Sequence, residues 1–295
     1  MKSCIMIGIL ICLGLSGCQP KFSHEQLPSG VKIELEQGTL NLYPLTDNAV
    51  RVQFSKEPLD SLPELIFNAA EAAPEFEVMD VFSSLIVQMK YMHVVVDKKT
   101  GSLSYTDPSG KEFLIEMAGT RKLIPDTILG EPCYISEQMF ESPADEFLFG
   151  LGQFQDGHYN LRGVSRRLTQ VNSQIALPFI YSSRGYGLLW HQYGMTDFNP
   201  ADTPVELRRQ EQAAGSDQLA EVTTTAGTQK VSQNQALYTG IFSVPEDGAY
   251  SVFLDLGDMG NRHFVAIDGK PVLHQSNIWL PPTAGVRVVL TAGEH

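Results

Sequence analysis

Phe147-Leu-Phe-Gly-Leu-Gly-Gln-Phe-Gln-Asp-Gly-His-Tyr-Asn160, FLFGLGQFQDGHYN, is the stretch on which the reading of this chain turns. A short apolar run ends in glycines at 150 and 152, and a polar, aromatic loop carrying Gly157 follows at once. Such a stretch can cradle a phosphate, edge a sugar site or simply turn a corner. Spacing excludes the first. A dinucleotide fingerprint needs a third glycine at position 155, where Gln155 stands. A P-loop needs Lys and Ser or Thr after Gly157, where His158 and Tyr159 stand. No capped helical period follows, so a helix-terminus anion site is not expected either. The remaining reading is a strand, Phe147–Gly150, then two glycines where a Cβ would clash, then a displayed loop.

Working outward, short strand patterns recur. Val31-Lys-Ile-Glu-Leu-Glu36 alternates apolar and polar residues, the period of a half-buried strand. Thr39–Tyr43, Ala49–Phe54, Ser84–Val96 (one or two strands), Ser102–Tyr105, Phe113–Met117 and Leu123–Ile128 continue the series. Thr100-Gly101 and Asp107-Pro-Ser-Gly110 are turn signals. Downstream, Ile175–Ser182 and Tyr186–Trp190 read as a hairpin about Ser183-Arg-Gly185. No segment shows a long helical period with caps. The expected fold class is all-β, a sandwich with strands about every 8–12 residues.

After Pro200 the composition shifts. Residues 201–236, rich in Ala, Gln, Glu and Thr, read as a join. A second strand series follows: Tyr238–Val244, a turn at Pro245-Glu-Asp-Gly248, Ala249–Leu256, Arg262–Ile267 and Val286–Leu290. Asp268-Gly269 is the strongest hairpin signal, since both residues tolerate positive φ. The closing Thr291-Ala-Gly-Glu-His295 reads as a turn leaving an unfinished sheet. The chain is therefore expected to be the front part of a longer protein.

The 295 residues are 43% hydrophobic with a net charge of −13 and no clustered basic run. Nucleic acid is excluded as a partner, because neutralising its backbone requires grouped Lys and Arg. At the N-terminus Lys2 precedes the apolar run Ile5–Leu15, too short to span a bilayer, and then Leu15-Ser-Gly-Cys18 and Gln19-Pro20. This resembles a bacterial lipoprotein signal. It implies a signal peptide over 1–17, lipidation of Cys18, a flexible tether over 18–27, and an exported protein anchored to a bacterial membrane, facing the periplasm or the cell surface. Of the four cysteines, Cys4 and Cys12 leave with the signal, so Cys133 has no partner for an internal disulfide. With no histidine near it in sequence, Cys133 reads as an inert packed thiol.

Phe149-Gly-Leu-Gly-Gln153, followed by Leu177-Pro-Phe-Ile-Tyr-Ser-Ser-Arg-Gly-Tyr-Gly-Leu-Leu-Trp190, resembles the N-terminal β-sandwich of glycoside hydrolase family 31, which includes α-glucosidases and α-xylosidases. The resemblance covers residues 28–200 and implies a galactose-mutarotase-like sandwich. Tyr238-Thr-Gly-Ile-Phe242, Pro245-Glu-Asp-Gly-Ala-Tyr250, Val265-Ala-Ile-Asp-Gly-Lys270 and Leu290-Thr-Ala-Gly-Glu-His295 resemble a protective-antigen-type β-sandwich. It would occupy 237–295, truncated before its final strand, and be inserted after Asp197-Phe-Asn-Pro200. In family 31 a loop of the first sandwich reaches the rim of an active site on a (β/α)8 barrel. By resemblance Asp156, His158, Tyr159, Asn160, Gln170 and Asn172 are candidates for that rim. Tyr and His would stack on a sugar face and Asp and Asn would bond its hydroxyls; the alternative is that all six are ordinary solvated loop residues. Trp279 is the candidate stacking platform of the second module, with Tyr250, Asp258 and Asn261, against the alternative of a core tryptophan.

No residue here is expected to be catalytic. Retaining glycosidases need two carboxyl groups about 5–5.5 Å apart. In family 31 both are Asp on the barrel, the nucleophile in a Trp-x-Asp-Met-Asn-Glu type of run that this sequence does not contain. No alternation of strand and helix patterns is present to build a barrel. Asp255 with Asp258, and Asp145 with Glu146, read better as strand-end and turn positions. His93, His158, His191, His263 and His274 are scattered and no adjacent Asp pair occurs, so neither a metal nor a cofactor is expected. The resulting expectation is the leading, non-catalytic portion of a lipid-anchored hydrolase of α-linked glycans, an α-xylosidase acting on xyloglucan-type oligosaccharides. Its partners would be the glycan, its own missing barrel and a membrane. The alternative is a non-enzymatic surface glycan-binding lipoprotein.

Overall fold

The computed structural model describes residues 22–57, 65–66, 73–210, 219–224, 227–232, 236–257, 260 and 262–295. The signal segment, Cys18, Asp258 and Asn261 lie outside the described residues. The described residues form strands and their connections without a helix, an all-β protein as the alternating patterns require, and no (β/α)8 barrel is among them. The chain divides into two compact units, Met1–Pro143 and Ala144–His295.

Among the described residues the first unit holds eleven strands. Four make an antiparallel meander in the order β1 (Ser23–Leu27), β2 (Gly30–Leu35), β3 (Gly38–Thr46) and β4 (Ala49–Ser55). Five make a second meander of β5 (Glu77–Asp80), β6 (Ser84–Gln88), β7 (His93–Asp97), β8 (Leu103–Thr106) and β9 (Glu112–Ile115). The hairpin β10 (Lys122–Ile128) and β11 (Glu131–Glu137) completes it. Alternation sets which face is buried. Val31, Ile33 and Leu35 on β2 and Leu85 and Val87 on β6 point inward, and Val94 and Val96 on β7 do the same. Ser84–Val96 thus resolves into two strands paired from Ser84↔Asp97 to Gln88↔His93. Ser23–Leu27, expected within a tether, is strand β1: its backbone pairs in register with β2 from Ser23↔Glu34 to Leu27↔Gly30 although its side chains are polar. Glu116 is a buried carboxylate held by Arg121 and by the Leu103 amide, which donates to its Oε2 at 2.9 Å.

The second unit begins with β12 (Leu148–Gln153), β13 (Arg166–Leu168), β14 (Ile175–Ser182), β15 (Gly187–Leu189) and β16 (Thr196–Phe198). β12, β14 and β15 form one sheet and β13 pairs with β16. Then come β17 (Arg208–Arg209), β18 (Leu219–Thr224), β19 (Gly227–Ser232), β20 (Tyr238–Thr239) and β21 (Ser243–Val244). The last strands are β22 (Gly248–Asp255), β23 (His263–Ile267), β24 (Lys270–Gln275), β25 (Thr283–Leu290) and β26 (Gly293–Glu294). The pairs are β17 with β20, β18 with β19, β21 with β26, β22 with β25 and β23 with β24. Asp268 and Gly269 make the two-residue turn between Ile267 and Lys270, both with positive φ.

The opening glycines are a β-bulge. Gly150, Leu151 and Gly152 have φ of 116°, 62° and 96°, and the pairing of β12 with β14 slips between the two glycines. A Cβ at Gly150 would lie 2.4 Å from the Phe179 carbonyl oxygen, and one at Gly152 would lie 2.2 Å from that of Ile175. Leu151 sits in the left-handed region at a cost of about 1–2 kcal/mol. Its side chain is 2% exposed, in a cluster with Leu148 and Leu161. Burial of a leucine contributes about 1.5–3 kcal/mol, which offsets that strain.

Two further features fix the second unit. Glu146 is buried, and its Oε1 accepts from the Ser182 hydroxyl and, at 2.8 Å, from the Tyr186 hydroxyl. Burial, and then this bond to Glu146, push the Tyr186 phenol well above its ordinary pKa. A carboxylate thereby pins the Ser182–Gly185 turn between β14 and β15. Elsewhere β25 meets the 161–166 segment with no room to spare: a Cβ on Gly285 would lie 2.0 Å from the Ser165 carbonyl oxygen. The Gly285→Ala variant is expected to lose at least about 2 kcal/mol of stability, because backbone and not a flexible side chain would have to yield. Equilibrium denaturation monitored by Trp190 and Trp279 fluorescence checks this, and a variant as stable as the parent would refute the contact.

Candidate functional site

The candidate residues of the 154–161 loop have separate tasks. The Asp156 carboxylate is gripped by Arg166, whose Nε donates to Oδ2 at 2.8 Å and whose Nη2 donates to Oδ1 at 2.7 Å. Oδ1 also accepts from the His158 amide at 3.1 Å. The Arg166 guanidinium lies 4.4 Å from the centroid of Phe154, and its side chain is only 4% exposed. A bidentate pair of this kind fixes both geometry and charge. Asn160 closes the loop on itself, its Oδ1 accepting from the amides of Leu148 and Arg162, both at 3.1 Å. Tyr159 is 81% exposed, with its ring 5.0 Å edge-on from Phe149, which in turn stacks on Tyr181 at 5.1 Å. Gln170 accepts from the Ala176 amide at 3.0 Å, and Asn172 is exposed in the neighbouring turn.

His158 reaches further. Its Nε2 lies 3.3 Å from the Gly285 carbonyl on β25, to which it donates in the Nε2–H tautomer. Other links join the same regions. Ser165 bonds Ser251 through both its amide, at 3.0 Å, and its hydroxyl, at 2.8 Å. Arg167 bridges Asp197 on β16, at 2.9 Å, and Asp255 on β22, at 2.6 Å. Asp255, considered from sequence beside Asp258, is thus committed to an arginine and to the Gly257 amide, 2.9 Å away. Ser173 donates to the Trp279 carbonyl at 2.6 Å.

Trp279 is not a core residue. Its side chain is 70% exposed on the loop between β24 and β25, and its amide donates to Asn277 Oδ1 at 3.1 Å. Tyr250 instead packs against the Val244, Ile267, Val288 and Leu290 cluster, with its hydroxyl on the Glu246 carbonyl at 2.8 Å.

Between the 155–158 loop and strands β24 and β25 lies a cleft of about 370 Å³. The structure brings Asp156 and His158 into its wall together with Val272, His274, Gln275, Ser276, Asn277 and Leu280. Tyr159, Asn160, Gln170, Asn172 and Trp279 do not line it. Gln155, His274 and Asn277 had no signal in the sequence, because what unites them is a contact between residues far apart in the chain. Asn277 Nδ2 donates to Gln155 Oε1 at 3.4 Å across 122 positions. Among the described residues no three His, Cys, Asp or Glu side chains form a group that could hold a metal ion.

Comparison with known proteins agrees with this architecture. A stretch of 52 residues is 50% identical to an uncharacterized family 31 glucosidase of Pseudescherichia vulneris, and one of 71 residues is 42% identical to an alpha-xylosidase of Saccharolobus solfataricus. The fold matches the crystal structure of a GH31 alpha-xylosidase from Xanthomonas citri with a TM-score of 0.66 at 20% identity, over 91% of this chain and 33% of that one. A GH31 alpha-xylosidase from a soil metagenome, solved with xylose, matches with a TM-score of 0.53 at 25% identity, over 59% of this chain and 29% of its own. Over these stretches the chain is similar to members of glycoside hydrolase family 31. The stretches shared with the two curated relatives make up 18% and 21% of this chain and 10% of each relative. No family model matches the chain.

Asp156 is the residue on which the loop's geometry turns. Replacing it by Ala leaves a buried guanidinium without its counter-charge, and the expected cost is about 3–5 kcal/mol. Asp156→Asn, which keeps two acceptor or donor positions but no charge, should cost less. Chemical denaturation of both variants measures the difference; equal and small losses would show that the pair does not hold the loop.

Proposed function

We propose that this chain is the β-sheet, non-catalytic portion of a glycoside hydrolase acting on α-linked glycans, with xylosyl-bearing oligosaccharides as its substrate class. The observation that carries the proposal is the fold match over 91% of this chain to a third of a solved alpha-xylosidase, with a second alpha-xylosidase solved with xylose matching beside it. On this reading the two carboxyl groups that break the glycosidic bond, one nucleophile and one acid/base, stand on a barrel outside these residues. The role of these β-layers is to hold the glycan's more distant residues. Binding energy from parts of a substrate that do not react can be used to orient the reacting centre.

The carboxylates in this chain support that division. Asp156, Asp197 and Asp255 are each bonded to arginine, and Glu146 holds a turn. None of these four is an unpaired acid set across a cleft from a second one. Sequencing beyond the codon for His295 should reveal an in-frame barrel. The longer polypeptide should hydrolyse an aryl α-xyloside while the 295-residue chain does not. A stop codon at that point, or turnover by the 295-residue chain, would overturn the proposal.

The chain is further proposed to be exported and held to a bacterial membrane through lipid on Cys18, as its Leu15-Ser-Gly-Cys18 signal suggests. Cells fed labelled palmitate should incorporate it into the protein, and Cys18→Ser should abolish the label. Label retained in that variant would place the lipid elsewhere or remove it from the account.

A further inference from the structure

We infer that the cleft between the 155–158 loop and strands β24 and β25 is a binding site for an uncharged, polyhydroxylated ligand, a stretch of neutral oligosaccharide. Its volume, about 370 Å³, is within the range of small-molecule sites. Its wall divides in two. Val272, Leu280, Ala284 and Val286 supply apolar surface, and Gln155, His274, Gln275, Ser276 and Asn277 supply amide, imidazole and hydroxyl groups.

Charge selects the ligand class. No Lys or Arg lines this cleft, and the carboxylate in its wall, Asp156, already has its counter-ion in Arg166. A phosphate or carboxylate ligand would find no cation to receive it. A cationic ligand would have to compete with a bidentate guanidinium. Neutral hydroxyls suit side-chain amides, which both donate and accept, and the faces of a sugar ring carry C–H groups that suit apolar surface. Trp279 adds to this. Its indole is 70% exposed although the loop around it is ordered by Asn277 and Ser173, and it stands in sequence between two wall residues, Asn277 and Leu280. A large aromatic held out in solvent on a bonded loop is a stacking surface for a ring that extends beyond the cleft.

The site is assembled from both halves of the second unit. Gln155, Asp156 and His158 come from the loop after β12, and the rest of the wall comes from β24 and β25 with the loop between them. The Asn277–Gln155 bond ties one side to the other. The inference deepens the glycan reading above and depends on it only for the choice of sugars to try.

The test is binding to the 295-residue chain, measured by titration calorimetry with a xylose-branched gluco-oligosaccharide and with isomaltotriose as probes. Saturable binding of at least one probe with a Kd of about 1 mM or tighter is expected. Trp279→Ala should weaken it about fivefold, as should His274→Ala. Ser276→Trp, at an exposed position, should fill the cleft and abolish binding while the thermal melt stays unchanged. If Ser276→Trp melts early, the His274→Ala and Trp279→Ala results decide. No binding by the parent chain at ~10 mM probe, or equal binding by all folded variants, would overturn the inference. The codons beyond His295 bear on the hydrolase reading alone, so either idea can fail without the other.

Discussion

The second unit depends on the absence of one carbon atom. At Gly285 the β25 backbone runs so close to Ser165 that a methyl group would stand 2.0 Å from a carbonyl oxygen. Close packing of two backbones is inflexible, since neither side can rotate away. That approach puts the Gly285 carbonyl within reach of His158 and lets Ser251 meet Ser165. It also carries β22 to where Asp255 meets Arg167. The charged contacts around it are partly exposed, and each such pair contributes about 0–1 kcal/mol. They set the register of the two halves more than they hold them. The energy comes from backbone contact and from the apolar clusters around Leu151 and Val288.

The two halves of the unit differ in sequence character, and the link 201–236 between them is polar. Even so, residues 144–200 and 237–295 belong to one compact unit. The cleft follows from that union. Each wall alone would be an open strand face or a loop. Brought together they make a concave surface with paired charges inside it and amide groups along its edge.

Much of the architecture was legible because period-2 alternation records which side of a strand is buried. Ile175–Ser182 was readable to the residue, and the Asp268-Gly269 turn announced itself through residues that accept positive φ. Strands β13, β16, β17, β18, β19, β24 and β26 had no distinct reading, and neither did β1, β5 and β11, whose exposed or polar side chains carry no burial pattern; the backbone pairing of these three alone makes them strands. The site was harder. Asp156 and His158 were visible as polar residues on a loop, but Arg166 and the Gly285 carbonyl could not be assigned to them, because both partners are fixed by tertiary contact. Trp279 illustrates the same gap: one indole in sequence fits a core or a surface equally well, and only the Asn277 and Ser173 bonds show it held outward.

The bulge at Gly150–Gly152 sets the direction in which the chain leaves β12. Three successive residues with positive φ make the strand rotate its following loop by a fixed amount. The loop that begins at Phe154 therefore takes its heading from the backbone and is held there by the Asp156–Arg166 pair. Exposed Tyr159, whose side chain holds no such bond, can change while the pivot that aims the loop stays as it is.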